Sequence, residues 1–287
     1  MQYGAAVSVL TILVVVLAVG GALAANRWIW RPRQEHDRTR GDGLTTTEVA
    51  VPLLTLATVL LVFVLVQVFS SWSSAGQAET AEATATLLLF REAQLLSDAT
   101  ARDRMRADVV CYATSVAEQE WPAMADQRIS NVPTYWGDRA RAAAVEQARS
   151  AANATTGTEV VERDGERAAA RQRRLAEARP TVPLALNLLM LAAVTGTLVI
   201  MAVASASVVR PAVHAAIVIT SALIFGATLL LVRDFDQPYS GVTGRAPEQT
   251  RFVRDLMAAD VRDPLPCDAA GLPVGDPAFR AGTSALR

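Results

Sequence analysis

The chain has 287 residues, of which 52% are hydrophobic and 19% charged, and its formal net charge is -1. So apolar a composition is unusual for a soluble protein and favours the integral membrane class. The near-zero net charge gives no support to nucleic-acid binding, which needs clustered basic residues, so we expect no nucleic-acid partner. Two cysteines are too few for a dense disulfide scaffold or a four-cysteine metal site.

Four stretches lack charged side chains for long enough to cross a bilayer, which takes about 20 apolar residues in a helix. They cover residues 5–25, 50–71, 183–207 and 211–232. Apolar runs of this length are stable in lipid as helices, because lipid offers backbone groups no water. The sequence therefore predicts an all-α membrane protein with four transmembrane helices in two hairpins, residues 1–71 and 183–232, and a helical extramembrane domain inserted between spans 2 and 3.

The first stretch has a second interpretation, because Ala22-Leu23-Ala24 resembles the site at which signal peptides are cleaved. Against cleavage, residues 1–4 carry no positive charge and the apolar run is long for a signal peptide. Cleavage would leave three spans.

The loop between the first two spans, residues 26–49, is rich in arginine, and its tryptophans suit a membrane interface. Basic residues in short loops favour the cytoplasm, so we expect this loop inside and both chain termini outside, together with the inserted domain. The opposite topology stays open, since Arg171, Arg173, Arg174 and Arg179 precede the third span.

The inserted domain, residues 72–182, is dense in Ala, Glu, Gln, Arg and Leu, which predicts helices over 102–121, 138–152 and 159–178. We expect a break at Trp121-Pro122, because proline disfavours a helical conformation in the residue before it, and then a loop through Asn131-Val132-Pro133. The alternating charges of 159–178 are typical of a solvated helix face.

The C-terminal segment, residues 233–287, is predicted to be extramembrane. It contains one short helix, 247–257, and a tail beyond Asp260 that is rich in proline and glycine. Such a tail is expected to be irregular or mobile.

The sequence carries no recognisable catalytic motif. All 27 basic residues are arginine, so a phosphate-binding loop with its usual lysine is excluded. The two histidines, His36 and His214, cannot build a histidine-centred metal site, and neither is placed as the base of a serine or cysteine nucleophile. We therefore predict no enzyme, no metal and no cofactor.

A mixed polar and aromatic face marks the second span. Phe63, Gln67, Ser70 and Ser74 follow at spacings of four, three and four, which places them on one side of a helix. A bulky ring beside polar groups suits a gate that works by dewetting, so these residues are pore-lining candidates. The alternative is that Gln67 bonds a neighbouring helix or reaches the interface.

The two cysteines, Cys111 and Cys267, lie on the same side of the membrane in any four-span arrangement, because an even number of crossings separates them. On an extracytoplasmic side they could form a disulfide. The alternative is a buried free thiol at Cys111 and a solvated one at Cys267.

Several short motifs together resemble one family. They are Glu82-Ala83, residues 88–96, Tyr112, Glu120-Trp121-Pro122-Ala123-Met124, Arg173-Arg174-Leu175 and Asp236-Gln237-Pro238-Tyr239-Ser240-Gly241. The pattern is similar to that of the bestrophin-like bacterial membrane proteins, a domain of unknown function, and it spans most of the chain. The resemblance implies two membrane hairpins with a helical domain between them.

Bestrophins are oligomeric anion channels whose second span lines the pore. The resemblance thus implies a homo-oligomeric channel for anions or small solutes in the cell membrane, with Phe63 and Gln67 at the pore. The sequence departs from true bestrophins, which keep the inserted domain in the cytoplasm, and it has no evident acidic calcium-binding loop. Because the spans hold few polar groups, the alternative is a non-transporting scaffold or envelope sensor that binds a protein partner through its helical domain.

Overall fold

The computed structural model describes Gly20 and residues 46–150, 154–206, 211–261, 264–275 and 279. The predicted first span and almost all of the arginine-rich loop lie outside these residues. The described part contains eight α-helices: α1 Thr46–Ala93, α2 Ala99–Ser115, α3 Trp121–Ala125, α4 Val132–Arg149, α5 Ala154–Glu177, α6 Leu184–Ala206, α7 Pro211–Phe235 and α8 Glu248–Ala258. No β-strand occurs among these residues, which confirms the all-α class.

The chain divides into two compact units. The membrane unit combines the chain up to Ser70 with Pro180–Asp236, and the helical unit combines Ser71–Arg179 with the chain from Gln237 onwards. Three described helices are long and apolar enough to cross a membrane, within Val51–Ala93, Leu184–Ala202 and Ala212–Phe235. They correspond to the predicted second, third and fourth spans.

The core of the membrane unit is formed by one face of each of these helices. Leu61, Val64 and Val68 of α1 are buried in the same cluster as Val194 and Leu198 of α6. The opposite face of α1 carries large apolar side chains that are exposed, including Val62 and Val66. Such a surface is suited to lipid or to another subunit.

Helix α1 is much longer than the predicted span. It has 48 residues and continues to Ala93, whereas the apolar stretch ends at Ser71. At 1.5 Å per residue it is about 72 Å long, more than twice the thickness of a hydrocarbon core. The second half stays helical because it is rich in Ala, Glu, Gln and Leu and contains no proline.

The predicted break at Trp121-Pro122 is wrong. A π-helical turn, Val116–Glu120, joins α2 directly to α3, and the Trp121 N–H donates to the Val116 carbonyl. Pro122 falls in the first turn of α3, where its missing N–H costs little. The helical path therefore passes through the proline and ends at Ala125.

The predicted loop through Asn131-Val132-Pro133 is also too long. Helix α4 begins at Val132, six residues before the predicted start, with Pro133 in its first turn. Proline in that position is preorganised for a helix rather than against it. The core of the helical unit includes Val132 and Trp136 from this first part of α4.

Candidate functional site

The pore-lining candidates of the membrane unit lie on the outward side of α1. The Phe63 side chain is 71% exposed, and Gln67 and Ser70 are also exposed. They point away from Val64 and Val68, which pack against the unit's own core. Ser74, the fourth candidate, is half-buried in the helical unit. A polar face on an apolar helix that the described residues of its own protomer leave uncovered is suited to water or to a polar neighbour.

Charged side chains of the motifs that contain Glu82, Glu120 and Arg174 meet in the core of the helical unit. Arg174 of α5 donates from Nε and Nη2 to Glu82 of α1, and from Nη2 also to Glu120. All three side chains are at most 4% exposed. Arg171 adds two hydrogen bonds of 3.2 Å from its Nε to the Glu120 carboxylate. We call these four side chains the ionic network.

Neutral groups complete the ionic network. The Tyr112 hydroxyl donates to Glu82 Oε1 at 2.6 Å, and the Arg171 Nη1 donates to the Thr134 hydroxyl at 3.0 Å. The Arg174 guanidinium also lies 5.2 Å from the centre of the Trp121 ring. Two guanidinium groups thus face two carboxylates, and every acceptor oxygen receives a donor, which is the condition for burying charge at tolerable cost.

Burial and charge act in opposite directions on Arg174. Desolvation alone would lower the pKa of its guanidinium, but the neighbouring Glu82 and Glu120 carboxylates raise that pKa above its ordinary value. Burial, together with the Glu82 charge, raises the pKa of the Tyr112 hydroxyl. Tyr112 therefore stays protonated and keeps its donor role.

The solvated face predicted for residues 159–178 is wrong for three arginines. Arg167, Arg171 and Arg174 are 4%, 7% and 0% exposed, whereas Arg173 is exposed. Arg167 pairs with Asp164 at 2.7 Å and lies 4.3 Å from the centre of the Tyr112 ring. Their spacings of four and three place these arginines on one face of the helix. The spacing is visible in the sequence, but the many charges of the segment favour the interpretation of a solvated helix.

A second group of motif residues surrounds the C-terminal segment of the helical unit. The Tyr239 ring packs edge-on against Trp121 at 5.1 Å, and its hydroxyl donates to the Ala75 carbonyl. The Arg245 N–H donates to the Pro238 carbonyl at 2.8 Å, across a turn in which Gly241 has a φ of 86°. Glycine suits this position because side chains disfavour positive φ.

Asp236 belongs to the membrane unit instead. Its Oδ1 accepts hydrogen bonds from the Thr181 and Val182 N–H groups at 2.8 and 3.0 Å, and from the Thr181 hydroxyl. These contacts fasten the end of α7 to the segment that leads into α6. The motif Asp236 to Gly241 thus serves two units, and Asp236 does not join the ionic network.

Cys111 of α2 and Cys267 are joined by a disulfide within the helical unit, across 156 residues of sequence. The segment after Cys267 is irregular but anchored: the Trp136 indole donates to the Gly271 carbonyl at 2.7 Å. Gly271 has a φ of 76°, and a side chain there would meet the Ser115 backbone at 2.6 Å. A tail of this kind is held in place by contacts that its proline and glycine content does not reveal.

The described residues contain no group of three or more His, Cys, Asp or Glu side chains that could hold a metal ion. Several of their buried charges form ion pairs. Asp108, 1% exposed, lies 3.1 Å from the Arg139 Nη2.

The contribution of Asp108 to the stability of the fold depends on pH. Burial raises the pKa of its carboxyl, while Arg139 and Arg104 act in the lowering direction. A raised native pKa means that the folded state binds the proton more tightly. The resulting stabilisation is complete below the ordinary value of 3.8 and is lost as the pH rises through the native pKa.

We therefore expect acidification from neutral pH to stabilise the wild type relative to Asp108→Asn. Thermal unfolding of both proteins in detergent between pH 7 and about pH 4 measures the difference. Glu146→Gln, which removes a charge from an exposed position, is the control. Parallel curves for wild type and Asp108→Asn would contradict the assignment.

Comparison with known proteins yields one family and one fold. The sequence matches the bestrophin-like domain over residues 12–248. The fold is similar to a bacterial bestrophin homolog from Klebsiella pneumoniae, with a TM-score of 0.67, 14% identity, and coverage of 89% of this chain and 99% of that one. A tryptophan-to-alanine variant of the homolog gives a TM-score of 0.68 at 15% identity, covering 88% and 96%. Among curated proteins, none matches this sequence.

Proposed function

The chain belongs to the bestrophin-like family, and from this premise we propose that it is a subunit of an oligomeric membrane channel for anions or small solutes rather than an enzyme. One observation carries the proposal. Phe63, Gln67 and Ser70 form an exposed polar and aromatic face on an apolar helix whose other side is buried.

Gln67 places an amide on this exposed face of α1. An amide that faces lipid lacks partners and costs free energy, whereas one that faces a water-filled pore is hydrated. In a ring of identical subunits, every copy of α1 would present the same face to the symmetry axis. Phe63 would then supply a hydrophobic ring next to a ring of Gln67 amides, the combination expected of a dewetting gate.

The test is conductance in planar bilayers. Gln67→Leu withdraws a polar contact worth about 1 kcal/mol from a passing ion, so we expect conductance to fall by about fivefold. Phe63→Ala should raise it, because the constriction widens. Val62→Leu is the control, since Val62 is exposed on the same helix but lies about 100° around it from Phe63.

Purified wild type that carries no current at any pH, anion or voltage would refute the channel. If Gln67→Leu and Val62→Leu change the current equally, the protein is still a channel, but this face of α1 does not line its pore.

We further propose that the protein is a multi-pass protein of the cell membrane with its termini and helical unit outside. The arginines of residues 26–49 favour a cytoplasmic loop, and the Cys111–Cys267 disulfide suits an oxidising compartment. A membrane-impermeant thiol reagent on intact cells is expected to label the cysteines after reduction by an impermeant reductant. Labelling only after lysis would place the helical unit inside.

A second candidate function is docking of a protein partner by the helical unit. Phe252 and Leu256, one turn apart on α8, are 66% and 46% exposed. If this face binds a partner, Phe252→Ser should abolish a pull-down partner and leave the wild-type oligomer intact. A change of oligomeric size on gel filtration would assign the face to subunit contacts instead.

A further inference from the structure

A groove of about 710 Å³ runs along the outer face of α1 in the helical unit. It is lined by Ser73, Gly76, Gln77, Thr80, Ala81, Thr84, Ala85, Leu88 and Arg245. Arg245 is the only charged side chain among these lining residues. The groove therefore has one positive group among lining side chains that are otherwise uncharged.

The Arg245 guanidinium is fixed rather than free to move. It lies 3.8 Å from the centre of the Trp72 ring, and its Nε donates to the Trp72 carbonyl at 3.1 Å. The Trp121 indole donates to the Arg245 carbonyl at 2.7 Å and thus holds the backbone. A guanidinium held against an aromatic face loses little entropy when it binds a ligand.

Gly76 makes room for this arrangement. A Cβ atom at position 76 would lie 2.4 Å from the Arg245 Cζ and Nη1. Glycine is unfavourable in the middle of a helix by about 1 kcal/mol relative to alanine. Its presence here is explained by the close approach of the guanidinium to the helix.

Within the described part of the chain, no carboxylate lies within ion-pair distance of Arg245. Its Nη1 and Nη2 groups, unlike those of Arg171 and Arg174, have no acidic acceptor there. Glu79, a buried carboxylate on the same helix, accepts a hydrogen bond from the Gln249 N–H at 3.2 Å and interacts with Arg245 through its charge, without an ion-pair contact. Gln77, exposed at the groove, offers further N–H donors.

We propose that Arg245 and Gln77 form an anion-binding site in this groove. The ligand is a small anion or the phosphate of a lipid headgroup, both of which a fixed guanidinium recognises by charge-assisted hydrogen bonds. The inference deepens the proposed function, because Gln77, Ala81 and Thr84 continue the spacing of Gln67, Ser70 and Ser74 along α1. An anion passing along this helix would meet Arg245.

Bromide is the probe for the small anion. Thermal unfolding of the detergent-solubilised protein is followed as sodium bromide replaces sodium gluconate at constant ionic strength, since a ligand that binds only the folded state stabilises it. A second arm compares nanodiscs of zwitterionic lipid with and without anionic lipid. Both readouts are independent of ion current.

Two variants test the residues. Arg245→Met keeps an apolar chain against Trp72 but removes the charge, so we expect apparent bromide affinity to fall by at least about tenfold. Gly76→Ala keeps the charge but displaces the guanidinium. It should weaken anion binding, although alanine has a higher helix propensity than glycine. The controls are Arg149→Met, at an exposed arginine, and Gly165→Ala, where an added Cβ meets nothing within 4 Å.

If bromide stabilises the wild type, and if Arg245→Met and Gly76→Ala abolish that stabilisation, the groove is a site for a small anion. Stabilisation by anionic lipid alone, with the same sensitivity, supports a headgroup site. The proposal is overturned if neither bromide nor anionic lipid stabilises the protein. It is also overturned if Arg149→Met weakens the stabilisation as much as Arg245→Met does. A protein that binds bromide but never conducts would refute the channel and leave the site standing.

Discussion

Arg174→Leu is expected to lower the free energy of unfolding by about 3–5 kcal/mol, because it leaves the Glu82 and Glu120 carboxylates buried without their shared partner. For a chain of this size, that loss corresponds to a fall of roughly 10 °C in the unfolding midpoint. Thermal unfolding in detergent measures it. Arg173→Leu, at the exposed neighbouring position, removes the same charge and should shift the midpoint little.

A second variant separates the cost of unpaired charge from the cost of lost packing. Glu120 keeps its ion pair with Arg171 in Arg174→Leu, so Glu82 is the carboxylate that loses its only cationic partner. Glu82→Gln in the Arg174→Leu background removes that stranded charge and should recover part of the lost stability. If Arg174→Leu and Arg173→Leu unfold at the same temperature, the ionic network does not hold the helical unit together. If the double variant is no more stable than Arg174→Leu, the loss comes from packing and not from unpaired charge.

The apolar helices could be predicted from the sequence because their signal is local. A run of about 20 uncharged residues is sufficient to define a span, and the predicted third and fourth spans agree closely with α6 and α7. The length of α1 could not be predicted in this way. Its second half has no apolar run, and its position is fixed by contacts such as those of Glu82 with Tyr112 and Arg174.

The ionic network was predictable only in part. The motifs containing Glu82, Glu120 and Arg174 were recognised, but nothing in the sequence says that the three side chains meet. Arg171 was missed because the many charges of α5 suggest a solvated surface. The burial of these charges depends on partners that lie 51 to 92 residues away in the chain. The periodicity of a single helix does not identify such distant partners.

Pro122 and Pro133 show why local rules can mislead. A proline restricts the residue before it, yet it also suits the first turn of a helix. Both prolines take the second role, one after a π-helical turn and one at the start of α4. The choice between the roles is made by burial, since Trp121 and Trp136 are both core residues of the helical unit.

Removal of the disulfide is expected to destabilise the helical unit by about 2–4 kcal/mol, since a link that closes so long a loop strongly restricts the unfolded chain. The measurement is thermal unfolding with and without a reductant. The double variant Cys111→Ala, Cys267→Ala should unfold at the midpoint of the reduced wild type and should not respond to the reductant. It is the control for effects of the reductant elsewhere in the protein.

The loss should be concentrated near the C-terminal segment, because the described residues after Cys267 have few other anchors. The principal ones are the Trp136 bond to the Gly271 carbonyl and the close approach of Gly271 to Ser115. Hydrogen exchange should therefore rise first at 264–275 and at the adjoining end of α2, while the ionic network stays protected. Uniform exchange across the helical unit after reduction would instead mean that the disulfide supports the whole core, and that the segment is not an independently released part.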